Sequence, residues 1–275
     1  MEKIRQAVQR ARVDGGSSNT LIADSLVLPQ RQADHGVGLT NRDGPQQQVI
    51  QVSSNHLLSH RIVSHNGVDQ RSRPYDMLRT QVLRSMDTSG WTILGVTSPT
   101  AQCGKTVTAI NLALSIARQR EQSAVLVDLD LQKPRVADYL GLTPQAGGVL
   151  GLLEGRASLQ SITASVRAGN QQFVVLPSSA TRESSELMGS RAMANLLQEI
   201  RKRYPSHIII LDLPPVLSSG DVIALLPQID CVLLVAAVGH SKASEIEECT
   251  RHLKSTPLVR LVVNKAAKAN SYYYY

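Results

Sequence analysis

A doubly wound α/β domain with a mostly parallel sheet, preceded by a flexible N-terminal extension, is the fold that this 275-residue sequence predicts. Three observations carry the expectation. Six runs rich in Val, Ile and Leu are apolar on both faces, as strands covered by helices on both sides must be. Segments with helical periodicity separate them, the order that crossover connections turn into a parallel sheet. Several of these runs end in acids or lead into Gly-Lys-Thr, and ligands of such sheets gather at the carboxyl ends of the strands.

The elements follow in chain order. The tip "EKIRQAVQRAR" places Ile4, Ala7, Val8 and Ala11 on one helical face and predicts a short basic helix over 1–12, either a docking helix or a frayed surface one. Residues 13–70 are polar, with stretches such as "DGGSSNT" and "NRDGPQQQ". They promise too little apolar burial to offset chain entropy, so a largely disordered linker is expected there. His35, His56, His60 and His65 fall in it without paired ligand spacing, so linker residues are favoured over a metal site. From 71 to 264 the text changes. The expected strands are "WTILGVTS", "SAVLVDLD", "QFVVLPSS", "HIIILDLPP", "CVLLVAAV" and "LVRLVVNK". The expected helices are "GKTVTAINLALSIARQR", "SSELMGSRAMANLLQEIRKRY" and "SKASEIEECTRHLKS". Residues 265–275 form a tail ending in Tyr272, Tyr273, Tyr274 and Tyr275, in a chain with seven tyrosines, one Trp and one Phe.

Composition narrows the function classes. No run approaches the 18 or so apolar residues of a membrane span, and the start lacks a signal-peptide apolar segment, so a cytoplasmic chain is expected. Three widely spaced cysteines suit reduced thiols. The net charge of +7 suits a polyanionic partner without choosing among nucleotide phosphate, an acidic membrane surface and nucleic acid.

The chemistry concentrates at three strand ends. "WTILGVTS" runs into "PTAQCGKT" and a helix, the context of a phosphate-binding P-loop. There the backbone N–H groups around Gln102, Cys103, Gly104 and Val107 would cradle phosphates. Lys105 would hold the β- and γ-phosphates of ATP, and Thr106 would ligate Mg²⁺. The next strand ends in Asp128-Leu129-Asp130, which alternation sends to one side, where a metal or a proton can be handled. "HIIILDLPP" brings Asp212 to a third strand end, the place of an acid that holds Mg²⁺ through water. Asn264 closes the last strand, where it either faces a nucleotide base or lies solvated.

The order of "PTAQCGKT", "VLVDLDLQKP" and "IIILDLPPVL" followed by a tyrosine cluster resembles the bacterial tyrosine kinases that regulate capsule and exopolysaccharide export, over residues 70–275. The resemblance implies a P-loop protein tyrosine autokinase. Lys105 and Thr106 match its phosphate and Mg²⁺ residues, Asp128 the carboxylate that activates the tyrosine hydroxyl, Asp130 its partner and Asp212 the third-motif acid. It implies ATP and Mg²⁺ as cofactors and a peripheral position at the inner face of the cell membrane. Its implied partners are a membrane-embedded polysaccharide co-polymerase or chain-length regulator, other copies of the chain in a homo-oligomer, and a cognate phosphatase, with no nucleic acid among them. Tyr272 to Tyr275 become the phosphoacceptors. A tail of about ten residues at about 3.3 Å each reaches roughly 30 Å, far enough for transfer to a neighbouring subunit.

Three departures stand out. The loop before Gly104 reads Ala101-Gln102-Cys103 where the family has small, glycine-containing sequence. Gln132 replaces an Arg after the second acid. The subunit-contact helix carries Arg73, Asp76 and Arg79, with two charge signs exchanged. Two other classes compete: a switch ATPase of the partitioning type, whose extra loop lysine would fall at Thr100, and a nucleotide-binding regulator with little catalysis.

Overall fold

A computed structural model of the chain describes residues 49–119 and 121–266. The basic tip, residues 13–48 of the linker and the tyrosines at 272–275 lie outside the described residues. The strands are β1 (Val49–Val52), β2 (Ile93–Thr97), β3 (Ser123–Asp128), β4 (Ala164–Ala168), β5 (Gln171–Leu176), β6 (His207–Asp212), β7 (Cys231–Ala237) and β8 (Val259–Asn264). The helices are α1 (Ser54–Ser59), α2 (Arg73–Ser89), α3 (Lys105–Ala117), α4 (Val136–Leu140), α5 (Gly148–Leu153), α6 (Leu159–Ile162), α7 (Ser184–Met188), α8 (Arg191–Arg203), α9 (Asp221–Leu225) and α10 (Ala243–His252).

The strands form one sheet in the order β1-β4-β5-β3-β6-β2-β7-β8. Every pairing is parallel except β4 with β5, so β1 and β4 run against the other six. The all-apolar strands expected from sequence are the central ones. Along β6, alternation sends Ile208 and Ile210 into one core layer and Ile209 and Leu211 into the other. The first layer is closed by Leu78 and Val82 of α2 and Ile110 and Leu114 of α3. The second is closed by Leu196 and Ile200 of α8 and Ile246 of α10. This is a doubly wound sheet, as the sequence predicts.

Two expectations need correction. The linker predicted over 13–70 is ordered from Val49 onward: β1 pairs with β4, and Leu57, Ile62 and Val63 are buried. The apolar residues of "VIQV" and "HLLSHRIV" are too few to build a core but enough to join one that exists, and the polar stretch before them hides this in any average over the segment. The helix expected over 184–204 is two helices. Gly189 closes the first, and the Ser190 hydroxyl accepts from the Met193 N–H at 3.1 Å to cap the second. The linker histidines in this region serve structure. His56 and His60 stack with ring centroids 4.4 Å apart, and the His65 ring bonds the Ile62 carbonyl.

Candidate nucleotide-binding site

The adjacent strands β2, β3 and β6 end at one edge of the sheet, and their loops enclose a cleft of about 690 Å³. The turn from β2 into α3 forms its floor. Gly104, at φ +94°, begins the helix, and a Cβ there would lie 2.2 Å from the Asn264 amide nitrogen. That amide donates to the Cys103 carbonyl at 2.9 Å. Only glycine allows the last strand to brace the loop this closely. Gln102 adopts φ +64°, the left-handed conformation that costs a non-glycine residue about 1 kcal/mol or more.

Lys105 is buried and points between two carboxylates. Its Nζ lies 2.9 Å from Asp130 Oδ2 and 3.3 Å from Asp212 Oδ1. Burial alone would lower its pKa; the charges of Asp212 and Asp130 outweigh that and raise it, so it remains an ammonium. The Thr106 hydroxyl donates to Asp212 Oδ2 at 2.6 Å. Asp128 sits opposite Asp212 in the strand register and is fully buried. Its Oδ2 accepts from the backbone N–H groups of Arg135 and Val136 at 3.1 and 3.0 Å, while Oδ1 has no partner. Burial first, and the negative Asp212 second, push its pKa well above the usual carboxylate value. Burial likewise raises Asp212, against the opposing pull of Lys105 and Thr106.

The predicted residues therefore divide. Gln102, Gly104, Lys105, Thr106, Val107 and Asp130 line the cleft. Asp128 and Asp212 lie beneath it. Cys103 is buried and absent from the cleft lining, with its sulfur 3.4 Å from the Ser241 hydroxyl and 3.8 Å from the Thr100 hydroxyl and the Ala101 carbonyl of the loop. Asn264 neither lies solvated nor reaches the cleft; it lines an adjoining hollow of about 240 Å³ with Arg71, Tyr75 and Thr108. Of the two exchanged charges on α2, Asp76 is used within the chain, where it binds Arg118, Arg79 and the Ser115 hydroxyl, while Arg73 is exposed with no ion pair among the described residues. The cleft also gathers Lys265, which the sequence marked with Asn264 as a strand-end pair, and Arg61, Tyr139, Pro214 and Ser218, which the sequence did not single out. Arg61 had no signal in the sequence.

The donor set fits ATP and Mg²⁺. A buried carboxylate oxygen without a partner, a neighbouring acid, and a threonine hydroxyl beside a helix start suit a cation that keeps several waters and takes the rest of its ligands from phosphate. No group of three His, Cys, Asp or Glu able to hold a metal by itself occurs among the described residues.

Fold and site together define a P-loop nucleotide-binding α/β domain. A family model described as "AAA domain" matches residues 96–256. The chain is similar to the tyrosine-protein kinase YwqD of Bacillus subtilis, at 30% identity over 212 residues that cover 74% of this chain and 86% of that one. It is 30% identical over 198 residues to the EpsB protein of Ralstonia solanacearum, covering 72% of this chain but 26% of EpsB, so it spans about a quarter of that relative's length. The kinase domain of the Escherichia coli tyrosine kinase ETK superposes with a TM-score of 0.70 at 22% identity, covering 82% of this chain and 91% of that one, a likeness of fold. The chain belongs to the bacterial tyrosine kinase family, on the AAA-domain scaffold.

Proposed function

We propose that the chain is an ATP-dependent protein tyrosine autokinase that governs exopolysaccharide or capsule export. The observation that carries this is the convergence of Lys105, Thr106 and Asp130 at one cleft, with Asp212 and Asp128 directly below. ATP supplies the transferred phosphoryl group, and Mg²⁺ neutralises its oxygens. Lys105 releases Asp130 and Asp212 to hold the β- and γ-phosphates. Thr106, Asp212 and Asp128 would hold the metal. As the tyrosyl oxygen bonds to the γ-phosphorus, the bond from that phosphorus to the bridging oxygen of ADP breaks. The phenol proton would pass to Asp128, with Asp130 at the cleft surface as its partner. A phenol of pKa near 10 needs such help at neutral pH.

The acceptors are Tyr272, Tyr273, Tyr274 and Tyr275, presented to a second copy of the chain. Each phosphate would add about −1.5 to −2 charge and drive the tail out of a cleft already holding phosphates. A phosphatase would reset the cycle, and a membrane-embedded polysaccharide co-polymerase would supply the activating partner. No described helix is long and apolar enough to cross a membrane; we place the chain in the cytoplasm, on the inner face of the membrane.

The test mixes a Lys105→Met chain, unable to transfer, with an active chain whose four terminal tyrosines are Phe, in Mg-ATP. Phosphotyrosine on the first chain is the expected result. Its absence, with the unmutated protein labelling itself at a rate independent of concentration, would reject transfer between subunits. No phosphotyrosine in any mixture would favour the nucleotide-binding regulator, the reading that strained Gln102 supports. Asp128→Asn should keep ATP binding and lose about 10²–10⁴-fold in transfer rate; full activity would remove its role as base.

A further inference from the structure

Four non-glycine residues among the described ones have positive φ, and three of them, Arg61, Gln102 and Lys265, line the same cleft. Such strain gathers where surrounding structure holds a residue for a purpose. Arg61 is the least expected of the three, because it precedes the catalytic motifs by some forty residues and belongs to the segment predicted as linker.

Its backbone is fixed twice. The Arg61 N–H bonds the Leu58 carbonyl at 3.0 Å, and the Ile62 N–H bonds the Leu57 carbonyl at 2.8 Å. That is the Schellman ending of α1, with Leu57 and Ile62 buried as its apolar pair. The left-handed position of that motif belongs ordinarily to glycine; here it holds Arg61 at φ +62°. The second clamp is Asn111, fully buried on α3. Its amide oxygen accepts from the Val63 and Ser64 N–H groups at 2.8 and 2.9 Å, and its amide nitrogen donates to the Arg61 and Val107 carbonyls at 3.1 and 2.8 Å. The loop that carries Arg61 is thus tied to the same helix that begins with Lys105 and Thr106.

The guanidinium itself is left uncommitted. Arg61 is exposed and has no ion pair among the described residues, as is also true of Lys133 and Lys265 in the cleft, whereas Arg135 is paired with Asp138 at 3.0 Å and Lys105 with two acids; of the three unpaired cations Arg61 alone is a guanidinium. Arg61 lines the cleft with Lys105, Thr106 and Asp130 and is absent from the hollow beside Asn264. Its neighbour His60 packs on Tyr139 of α4, the helix that follows the Asp128–Asp130 loop, with ring centroids 5.2 Å apart, and Tyr139 lines the cleft beside Arg61.

We infer that Arg61 is a positioning residue whose guanidinium takes the oxygens of the nucleotide's terminal phosphoryl group, an inference that rests on the Mg-ATP reading of the cleft. A planar guanidinium suits such oxygens through paired hydrogen bonds. Phosphotyrosine carries the same chemistry, so the test separates the two sources. Arg61→Gly removes the guanidinium while placing at φ +62° the residue that conformation favours, so ligand-free folding should be retained with an unchanged or higher Tm. Calorimetry on the full chain with Mg²⁺ then compares the β,γ-imido analogue of ATP with ADP. The variant should lose about tenfold in affinity for the analogue and stay within about twofold for ADP. Equal affinity of variant and unmutated chain for the analogue would overturn the inference, as would an equal loss for both nucleotides with a lowered Tm. A loss confined to phosphotyrosine titrated into the ADP-loaded chain would overturn it in favour of the product. An unmutated chain that binds neither nucleotide would instead overturn the Mg-ATP reading and this inference with it.

Discussion

Strand β6 begins at His207 and ends at Asp212, and its two ends are built on opposite principles. Near its start, both oxygens of Asp230 are in use. One carboxylate oxygen accepts from the Thr92 and Ile93 N–H groups at 2.9 and 2.7 Å, and Arg201 bonds both oxygens at 2.9 Å. At its finish, one lysine is shared by two acids, a third acid keeps an oxygen without a partner, and the loop above carries Gln102 in a conformation suited to glycine. The difference separates polar groups that hold a sheet together from polar groups kept available for a ligand. A cluster of buried charges is costly, so its retention at the Asp212 end marks that end as the site.

The largest effect that sharpens this contrast is Lys105→Met. It should weaken Mg-ATP binding about a hundredfold by removing a charge-assisted contact to phosphate, as read by calorimetry. An unchanged Kd would mean that the lysine's contacts with Asp130 and Asp212 are its whole role, and that the two ends of β6 are alike after all.

Asp230→Ala tests the opposite end. It strands two backbone N–H groups at the start of β2 and frees Arg201, which should cost about 2 kcal/mol in denaturant unfolding while leaving ATP affinity unchanged. A loss of affinity larger than the loss of stability would show that the far end of the sheet tunes the cleft.

Gln102→Gly probes strain directly. If the left-handed conformation is the dominant feature of that position, glycine should raise the unfolding free energy by about 1 kcal/mol. A fall would show that the glutamine side chain, which lines the cleft, more than offsets its backbone cost.

The same contrast explains what could be read from sequence. The central strands and Lys105, Thr106, Asp130 and Asp212 were legible because each lies in a local pattern: an apolar run, a terminal acid, a strand–loop–helix junction. Asp128 was legible as an acid but not as a fully buried one, since its burial depends on the loop of Arg135 and Val136 folding over it. β1 and α1 were missed because their few apolar residues are stabilised by contacts far away in sequence, β1 with β4 and α1 with α4. Arg61 is illegible for the same reason. Its place in the cleft follows from the Schellman turn and from Asn111, some fifty residues later.

His207 gives the smallest effect and the finest test of the satisfied end. Its ring packs edge-on to Tyr204 with centroids 5.2 Å apart, and its buried Nδ1 has no partner. Burial lowers its pKa below the usual histidine value of 6.5. Between that lowered value and 6.5 the unfolded chain binds more protons than the folded one, so stability rises with pH across the window and is lost as pH falls through it. The ring is partly exposed, so the effect should stay below about 1 kcal/mol. Urea unfolding at pH 7.5 and 5.5 should therefore show a larger fall for the unmutated chain than for His207→Gln, which carries no titrating ring. The other histidines contribute to both proteins alike, so the difference between the two falls isolates His207. Identical falls would mean that the ring gains its proton in the fold as readily as in the unfolded chain. The start of β6 would then be as free of electrostatic cost as Asp230 makes it look.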